Sequence, residues 1–142
     1  MQKSADNTEV SILLVEDEEL ARMSLGRMLT LKFPGIGLHV AENGRVGLDL
    51  YRRHLPELVI TDLHMPLLNG IEMASAIRAH DPEALIIVMS AHNDSRYQLE
   101  VSKLGVDHYI LKPIDRHSLF AVIDSCLGRL SLKRSPLVPS ER

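Results

Sequence analysis

Short apolar runs recur along the chain, and polar stretches with turn-forming residues separate them. Most of these runs are continuously apolar or β-branched over four or five residues, which is typical of strands buried on both faces of a parallel sheet. The five predicted strands are Ser11–Val15, Gly37–Ala41, the block Leu58–Thr61 that runs into Asp62, Leu85–Met89 and His108–Leu111.

Between these runs, apolar residues recur at the spacing of an amphipathic helix. The last segment has the most regular stripe, made of Leu119, Val122, Ile123, Cys126, Leu127 and Leu130, and Asp115 is placed to cap it. The predicted helices are Glu18–Lys32, Gly44 to about His54 with Leu55 on its inner face, Ile71–His80, Asp94–Leu104 with Tyr97 facing inward, and the helix after Asp115.

Five strands that alternate with five helices predict an α/β fold with a doubly wound five-stranded parallel sheet, covered by helices on both faces. A chain of 142 residues suits one domain. We assign residues 1–9 to an N-terminal arm and residues 10–130 to the domain. Residues 131–142 lose the helical periodicity and gain prolines, so we assign them to a tail or the start of a linker to an output domain.

Composition narrows the classes of function. The single cysteine, Cys126, excludes an internal disulfide and suits a reducing cytoplasm. No segment approaches the ~20 apolar residues that span a bilayer, so we expect no membrane association. The net charge of -3 argues against direct nucleic-acid binding by this domain.

Polar side chains follow four of the five predicted strands. Glu16 and Asp17 come after the first, Asp62 after the third, Ser90 after the fourth and Lys112 after the fifth. The carboxyl ends of parallel strands lie at one edge of the sheet, where α/β proteins bind their ligands. The sequence therefore predicts that acids, a hydroxyl and an ammonium converge at this edge.

The same residues belong to motifs that stand in a familiar order. They are Leu14-Val15-Glu16-Asp17, then Asp62-Leu63-His64-Met65-Pro66 with Gly70 eight residues past the aspartate, then Ser90-Ala91, and last Tyr109-Ile110-Leu111-Lys112-Pro113. With these motifs, from about Ile12 to Leu130, the sequence resembles the receiver domain of two-component response regulators. The resemblance implies the flavodoxin-like receiver fold with strand order 2-1-3-4-5.

The resemblance also implies a function: Asp62 accepts a phosphoryl group from a phosphohistidine of a sensor histidine kinase or phosphotransfer protein. The reaction depends on Mg²⁺, with Mn²⁺ as a substitute, because hard oxygen donors suit these ions. Asp17 and Asp62 would bind the metal directly, as would the backbone carbonyl of His64, and Glu16 would contribute through water. Lys112 would pair with Asp62 and then hold a phosphoryl oxygen.

Further residues are assigned to the response that follows phosphorylation. Ser90, with Ala91 beside it, would move toward the phosphoryl group and make room for Tyr109 to turn inward. The face Asp94–Leu130 is the expected surface for a phosphorylation-linked homodimer. The resemblance also implies a cis peptide before Pro113.

His64 and His92 lie two residues past Asp62 and Ser90, and so are expected to flank the mouth of the pocket. Imidazoles suit transition metals. We favour instead a role in controlling how water reaches the phosphoryl group.

Three functions compete at this point. The first is a cytoplasmic phospho-accepting switch, which is not an enzyme because it catalyses only its own phosphorylation and dephosphorylation. The second is a Mg²⁺-dependent phosphatase with an aspartyl nucleophile, but such enzymes usually have a second acid where this chain has His64. The third, a flavodoxin-like cofactor binder, is ranked lowest because four consecutive acids, Glu16–Glu19, would repel a phosphate group.

Overall fold

The computed structural model describes residues 10–65, 67–91 and 95–134. Strands and helices alternate along these residues, which confirms the predicted α/β class. The elements are β1 (Ser11–Val15), α1 (Glu19–Lys32), β2 (Gly37–Ala41), α2 (Gly44–His54), β3 (Leu58–Asp62), α3 (Gly70–His80), β4 (Leu85–Ser90), α4 (Ser95–Leu104), β5 (His108–Leu111) and α5 (Arg116–Arg134). The predicted arm 1–9, most of the tail (135–142), His92, Asp94 and the side chain of Tyr97 lie outside the described residues.

The five strands form one parallel sheet in the order β2-β1-β3-β4-β5. This order is the one that the resemblance implied, and it confirms the doubly wound, flavodoxin-like fold. The register pairs Val15 with Thr61, Asp62 with Met89 and Ser90 with Leu111. The residues at and just after these positions therefore lie along one border of the sheet, which we call the carboxyl edge.

Both faces of the sheet are covered by helices, as predicted. Alternate strand residues such as Leu14 and Ile87 pack with α1 and α5 on one face, while Leu13 and Val59 pack with α2, α3 and α4 on the other. Each fully buried side chain of this kind stabilises the fold by about 1.5–3 kcal/mol. The apolar runs are therefore strands because both of their faces are buried.

The predicted stripe of α5 faces the core. Leu119, Ile123, Cys126 and Leu130 are buried. The helix continues to Arg134, so its end lies four residues beyond the predicted boundary at Leu130. The predicted tail thus begins inside the helix.

One predicted core residue is wrong. Leu55 is 54% exposed because α2 ends at His54 and Leu55 takes a left-handed conformation with φ 49°. Its amide donates to the carbonyl of Tyr51, which closes the helix and turns the side chain away from the sheet.

In the described part of the chain, no helix has the length and apolar character needed to cross a membrane.

Candidate functional site

The carboxyl edge brings together the polar residues that follow the strands. Glu16, Asp62 and Ser90 are all buried, and Lys112 is half-buried beside them. The sheet order explains the convergence, since β1, β3 and β4 are adjacent and β5 borders β4. Residues up to 96 positions apart in the sequence therefore make direct contacts.

Lys112 joins two of the acids. Its Nζ lies 3.1 Å from Oε1 of Glu16 and 3.2 Å from Oδ2 of Asp62. The pairing with Asp62 matches the sequence prediction, whereas the contact with Glu16 was not predicted. Burial alone would lower the pKa of Lys112, but the hydrogen bond to Glu16 and the charges of Asp62 and Glu16 outweigh that effect and raise it. The ammonium is therefore firmly charged.

Asp62 is held by its neighbours on β3 and in the loop that follows. Its Oδ1 accepts a hydrogen bond from the amide of Leu63 at 2.8 Å, and its carbonyl accepts one from the hydroxyl of Thr61 at 2.8 Å. Burial, and then the charge of Glu16, raise the pKa of Asp62 to about 6, against the opposing effects of Lys112 and the Leu63 amide. The acids around Lys112 thus account for the upward shift of its pKa, whereas for Asp62 burial is the main cause and the charge of Glu16 adds to it.

Asp17 completes an acidic cluster. Oxygen atoms of Glu16, Asp17 and Asp62 all lie within 4.8 Å of one another, and Asp17 is exposed to solvent. As far as the described residues go, three carboxylates and the single Lys112 ammonium leave two negative charges in the cluster. Mg²⁺ prefers hard oxygen donors and carries the matching charge, so the residues present fit this ion.

The loop after β3 depends on Gly70. A side chain there would collide with the backbone of Asp62 and Leu63, and the Gly70 amide donates to the Leu63 carbonyl at 2.9 Å. Asn69 and Glu72 form a capping box at the start of α3, which fixes how the helix leaves this loop. The glycine of the motif is thus explained by the close approach of α3 to Asp62.

The residues assigned to the switch lie along β4 and β5. Ser90 is fully buried, and its carbonyl accepts the Lys112 amide at 2.8 Å. Tyr109 is half-buried and pairs with Val88, so it lies two residues further from the carboxyl edge than Leu111, the partner of Ser90. Ala91 is exposed beside Ser90, and the Lys112–Pro113 peptide is cis.

His64 is half-buried in the loop after β3. Two roles for this residue stay predictions: its backbone carbonyl as a metal ligand, and its control of how water reaches the phosphoryl group. His92, the other predicted flank of the pocket, lies outside the described residues.

Sequence reasoning missed Arg22. Its Nη1 donates to the carbonyl of Glu16 at 3.0 Å and to that of Asp17 at 3.3 Å. One signal was available: Arg22 is the first cation after four consecutive acids, and it lies near a helix N-terminus, where the helix dipole disfavours positive charge. The hydrogen bonds to the two carbonyls offset this unfavourable interaction.

Comparison with known proteins gives a consistent result. Residues 12–124 match the family model of the response regulator receiver domain. The chain is 31% identical over 123 residues to the regulatory protein AtoC of Escherichia coli (strain K12), which covers 87% of this chain and 26% of AtoC. It spans about half the length of other curated relatives that it matches.

Solved structures agree. The N-terminal domain of an uncharacterized protein (WS1339) from Wolinella succinogenes superposes with a TM-score of 0.83 at 32% identity, covering 88% of this chain and 99% of that one. A chain of the CheX–CheY–BeF3–Mg²⁺ complex from Borrelia burgdorferi gives a TM-score of 0.76 at 25% identity, covering 83% and 89%. With the fold, the motifs and the family match in agreement, this chain belongs to the response regulator receiver domain family of two-component signalling.

Proposed function

We propose that the chain is a signalling switch that accepts a phosphoryl group on Asp62 from a phosphohistidine of a sensor kinase or phosphotransfer protein in the cytoplasm. The contact between Lys112 and Asp62, inside a cluster of acids at the end of β3, is the observation that carries the proposal. Membership in the receiver family supports it. The chain spans only part of the length of its relatives, so control of an output is also a proposal.

The chemistry requires an ionised nucleophile in line with the bond that breaks. An oxygen of Asp62 attacks phosphorus, the P–N bond of the phosphohistidine breaks, and the imidazole leaves with the electron pair and takes a proton from water. The product is an acyl phosphate on Asp62. With a pKa of about 6, Asp62 is mostly ionised at neutral pH and so available as the nucleophile.

Lys112 has a role before and after the transfer. It neutralises part of the acidic cluster in the unmodified protein, and it can then hold a phosphoryl oxygen as a point charge on a flexible stem. Its second contact, with Glu16, keeps the ammonium at the site while Asp62 reacts.

The proposed cofactor is Mg²⁺, which Mn²⁺ can replace. The carboxylates of Asp17 and Asp62 and the backbone carbonyl of His64 would hold it, with Glu16 acting through water. When bound, the ion neutralises charge on the phosphoryl oxygens. The oxygen donors and residual negative charge of the cluster support this assignment, as does the Mg²⁺ named in the Borrelia burgdorferi CheY complex.

The acyl phosphate would act on the Ser90 and Tyr109 face. It brings roughly two negative charges and three strong acceptors, which favour movement of the Ser90 hydroxyl toward it and rotation of Tyr109. We propose that this change controls an output domain or partner and promotes a homodimer through α4, β5 and α5. Light scattering of the protein with beryllium fluoride and Mg²⁺ should then give twice the monomer mass. An unchanged mass would remove the dimer from the proposal.

We further propose that the chain has no turnover beyond its own phosphorylation and dephosphorylation. The match to receiver domains favours this over the phosphatase that the sequence left open. The two differ in their products: a switch keeps the phosphoryl group on Asp62 for a time, whereas a phosphatase steadily releases phosphate from many esters.

Incubation with acetyl phosphate and Mg²⁺, followed by intact mass measurement, tests the proposal. We expect one acid-labile phosphoryl group on the wild type and none on Asp62→Asn. Asp124→Asn is the matched control, because Asp124 is an exposed aspartate on α5, and it should be labelled as the wild type is. Labelling that survives in Asp62→Asn, or continuous phosphate release without an adduct, would overturn the assignment.

A further inference from the structure

Arg22 holds the segment that carries two of the three acids. Glu16, Asp17 and Glu18 connect β1 to α1, and the Nη1 atom of Arg22 reaches back from the first turn of α1 to the carbonyls of Glu16 and Asp17. Hydrogen bonds from a guanidinium are stronger than neutral ones, since the donor is charged. The guanidinium therefore restrains the backbone to which both carboxylates are attached.

The rest of the segment is restrained mainly through Glu16. The Glu16 amide donates to Ala41 at 3.1 Å, its Oε1 accepts from Lys112, and its Oε2 accepts from the Glu18 amide at 3.1 Å. Asp17 differs, because its side chain is exposed and the contact described for its carbonyl is the one with Arg22. The position of the Asp17 carboxylate opposite Asp62 thus depends on Arg22 more than that of Glu16 does.

We propose that Arg22 is a positioning residue for the metal site, and that it raises the affinity for Mg²⁺ by fixing the Glu16–Asp17 backbone. This inference rests on the proposed function of the cluster. The contacts that the structure describes for the Arg22 side chain are with the main-chain carbonyls of Glu16 and Asp17, so its action on the two carboxylates would pass through the backbone.

Electrostatics alone predicts the opposite effect. A guanidinium close to a cation site repels the cation, so removing its charge would tighten Mg²⁺ binding. A role restricted to helix stability would leave Mg²⁺ affinity unchanged. Only positioning predicts weaker binding when Arg22 is replaced, and the direction of the change separates the three explanations.

Titration calorimetry with MgCl₂ on the metal-free protein measures this direction. We expect Arg22→Gln to weaken Mg²⁺ binding by about tenfold, the lower end of the loss that follows removal of an outer-shell partner. Arg22→Lys keeps the charge but lacks the planar guanidinium, so it should fall between the wild type and Arg22→Gln. It also serves as the test variant if Arg22→Gln does not fold.

Arg27→Gln is the matched control. Arg27 is an exposed arginine more than one turn further along α1, and its replacement should leave Mg²⁺ affinity within twofold of the wild type. A second readout needs no metal: amide hydrogen exchange at Glu18 should accelerate in Arg22→Gln and not in Arg27→Gln.

The outcomes are distinct. Affinity that is unchanged or tighter in Arg22→Gln overturns the positioning role while leaving the proposed function intact. If the wild type itself binds no Mg²⁺, the assignment of the metal site fails, and the role of Arg22 fails with it.

Discussion

The two borders of the sheet contain similar charged groups in opposite balance. At the carboxyl edge, three carboxylates share the ammonium of Lys112. At the opposite border, the amino edge, Asp107 faces two guanidiniums, with Arg129 at 3.1 Å and Arg78 at 3.9 Å. The cluster at the carboxyl edge thus has an excess of negative charge, whereas the guanidiniums outnumber the carboxylate around Asp107.

Arg78 also makes several hydrogen bonds at the amino edge. Arg78 donates to the carbonyls of Pro82, Ala84, Leu104 and Gly105 at 2.6–3.2 Å, which ties α3 to the loops before β4 and β5. Asp107 also accepts the Ile86 amide at 2.8 Å. A buried or half-buried charge with several partners contributes to the stability of the fold, whereas carboxylates left in excess can bind a cation at some cost in stability.

The largest expected effect is at the amino edge. Arg78→Met should lower the free energy of unfolding by about 3 kcal/mol, because it leaves Asp107 short of a partner and several carbonyls without their donor. Urea denaturation measures the loss. A loss below about 1 kcal/mol would show that the contacts of Arg78 contribute little to the stability of the fold.

Replacing an aspartate by asparagine should change the free energy of unfolding in opposite directions at the two edges. Asp107→Asn should lower the free energy of unfolding by about 2 kcal/mol, since Asp107 loses charged hydrogen bonds. Asp62→Asn should raise it by about 2 kcal/mol at pH 8, a figure that is discounted for solvent screening from the shift of its pKa to about 6.

The pH dependence follows from the direction of that shift. The folded state binds the Asp62 proton more tightly than the unfolded state does, so the stability that Asp62 contributes is present below about pH 4 and is lost as the pH rises through about 6. The advantage of Asp62→Asn should therefore vanish in acid. Denaturation curves at pH 8 and pH 4 check this, and equal advantages at both pH values would contradict it.

The proposed magnesium binding should give a smaller effect in energy. Protonation of Asp62 competes with the metal, so the apparent Mg²⁺ affinity should fall about tenfold, or about 1.4 kcal/mol, between pH 8 and pH 5. Calorimetric titrations across this range would show the decline. An affinity that does not vary with pH would place Asp62 outside the metal's ligands.

The smallest effect should come from Arg129. Its side chain is 54% exposed, so its pair with Asp107 is screened by water, and Arg129→Met should cost at most about 1 kcal/mol. Urea denaturation of Arg129→Met and Arg78→Met under the same conditions compares the two losses in the free energy of unfolding. A loss equal to that of Arg78→Met would show that exposure does not separate the two arginines.

Much of the fold could be predicted because the pattern of apolar residues within a short segment indicates which of its faces are buried. The apolar run Leu85–Met89 predicts a strand buried on both faces, and the structure has a fully buried strand there. The polar residues of the carboxyl edge were also predictable, since parallel strands end together and Asp62 and Lys112 each follow a strand. Leu55 was misplaced because helical spacing continues one residue past the point where the backbone turns left-handed.

The remaining contacts have no local pattern. Arg78 meets Leu104 and Gly105 across 26 and 27 positions, and Lys112 meets Glu16 across 96. Which carbonyl or carboxylate a long cationic side chain reaches depends on how the helices pack on the sheet. Helical spacing shows which residues face the core but not which distant polar atoms they contact.

The buried position of Cys126 on α5 has a practical consequence. Burial, and then the nearby charge of Asp107, raise the pKa of its thiol to about 11, so the reactive thiolate is scarce at neutral pH. Because the chain has no other cysteine, a thiol introduced at an exposed position such as Ser102→Cys on α4 would react selectively with a fluorescent maleimide. The native residue thus leaves the protein ready for single-site labelling without prior mutation of its own cysteine.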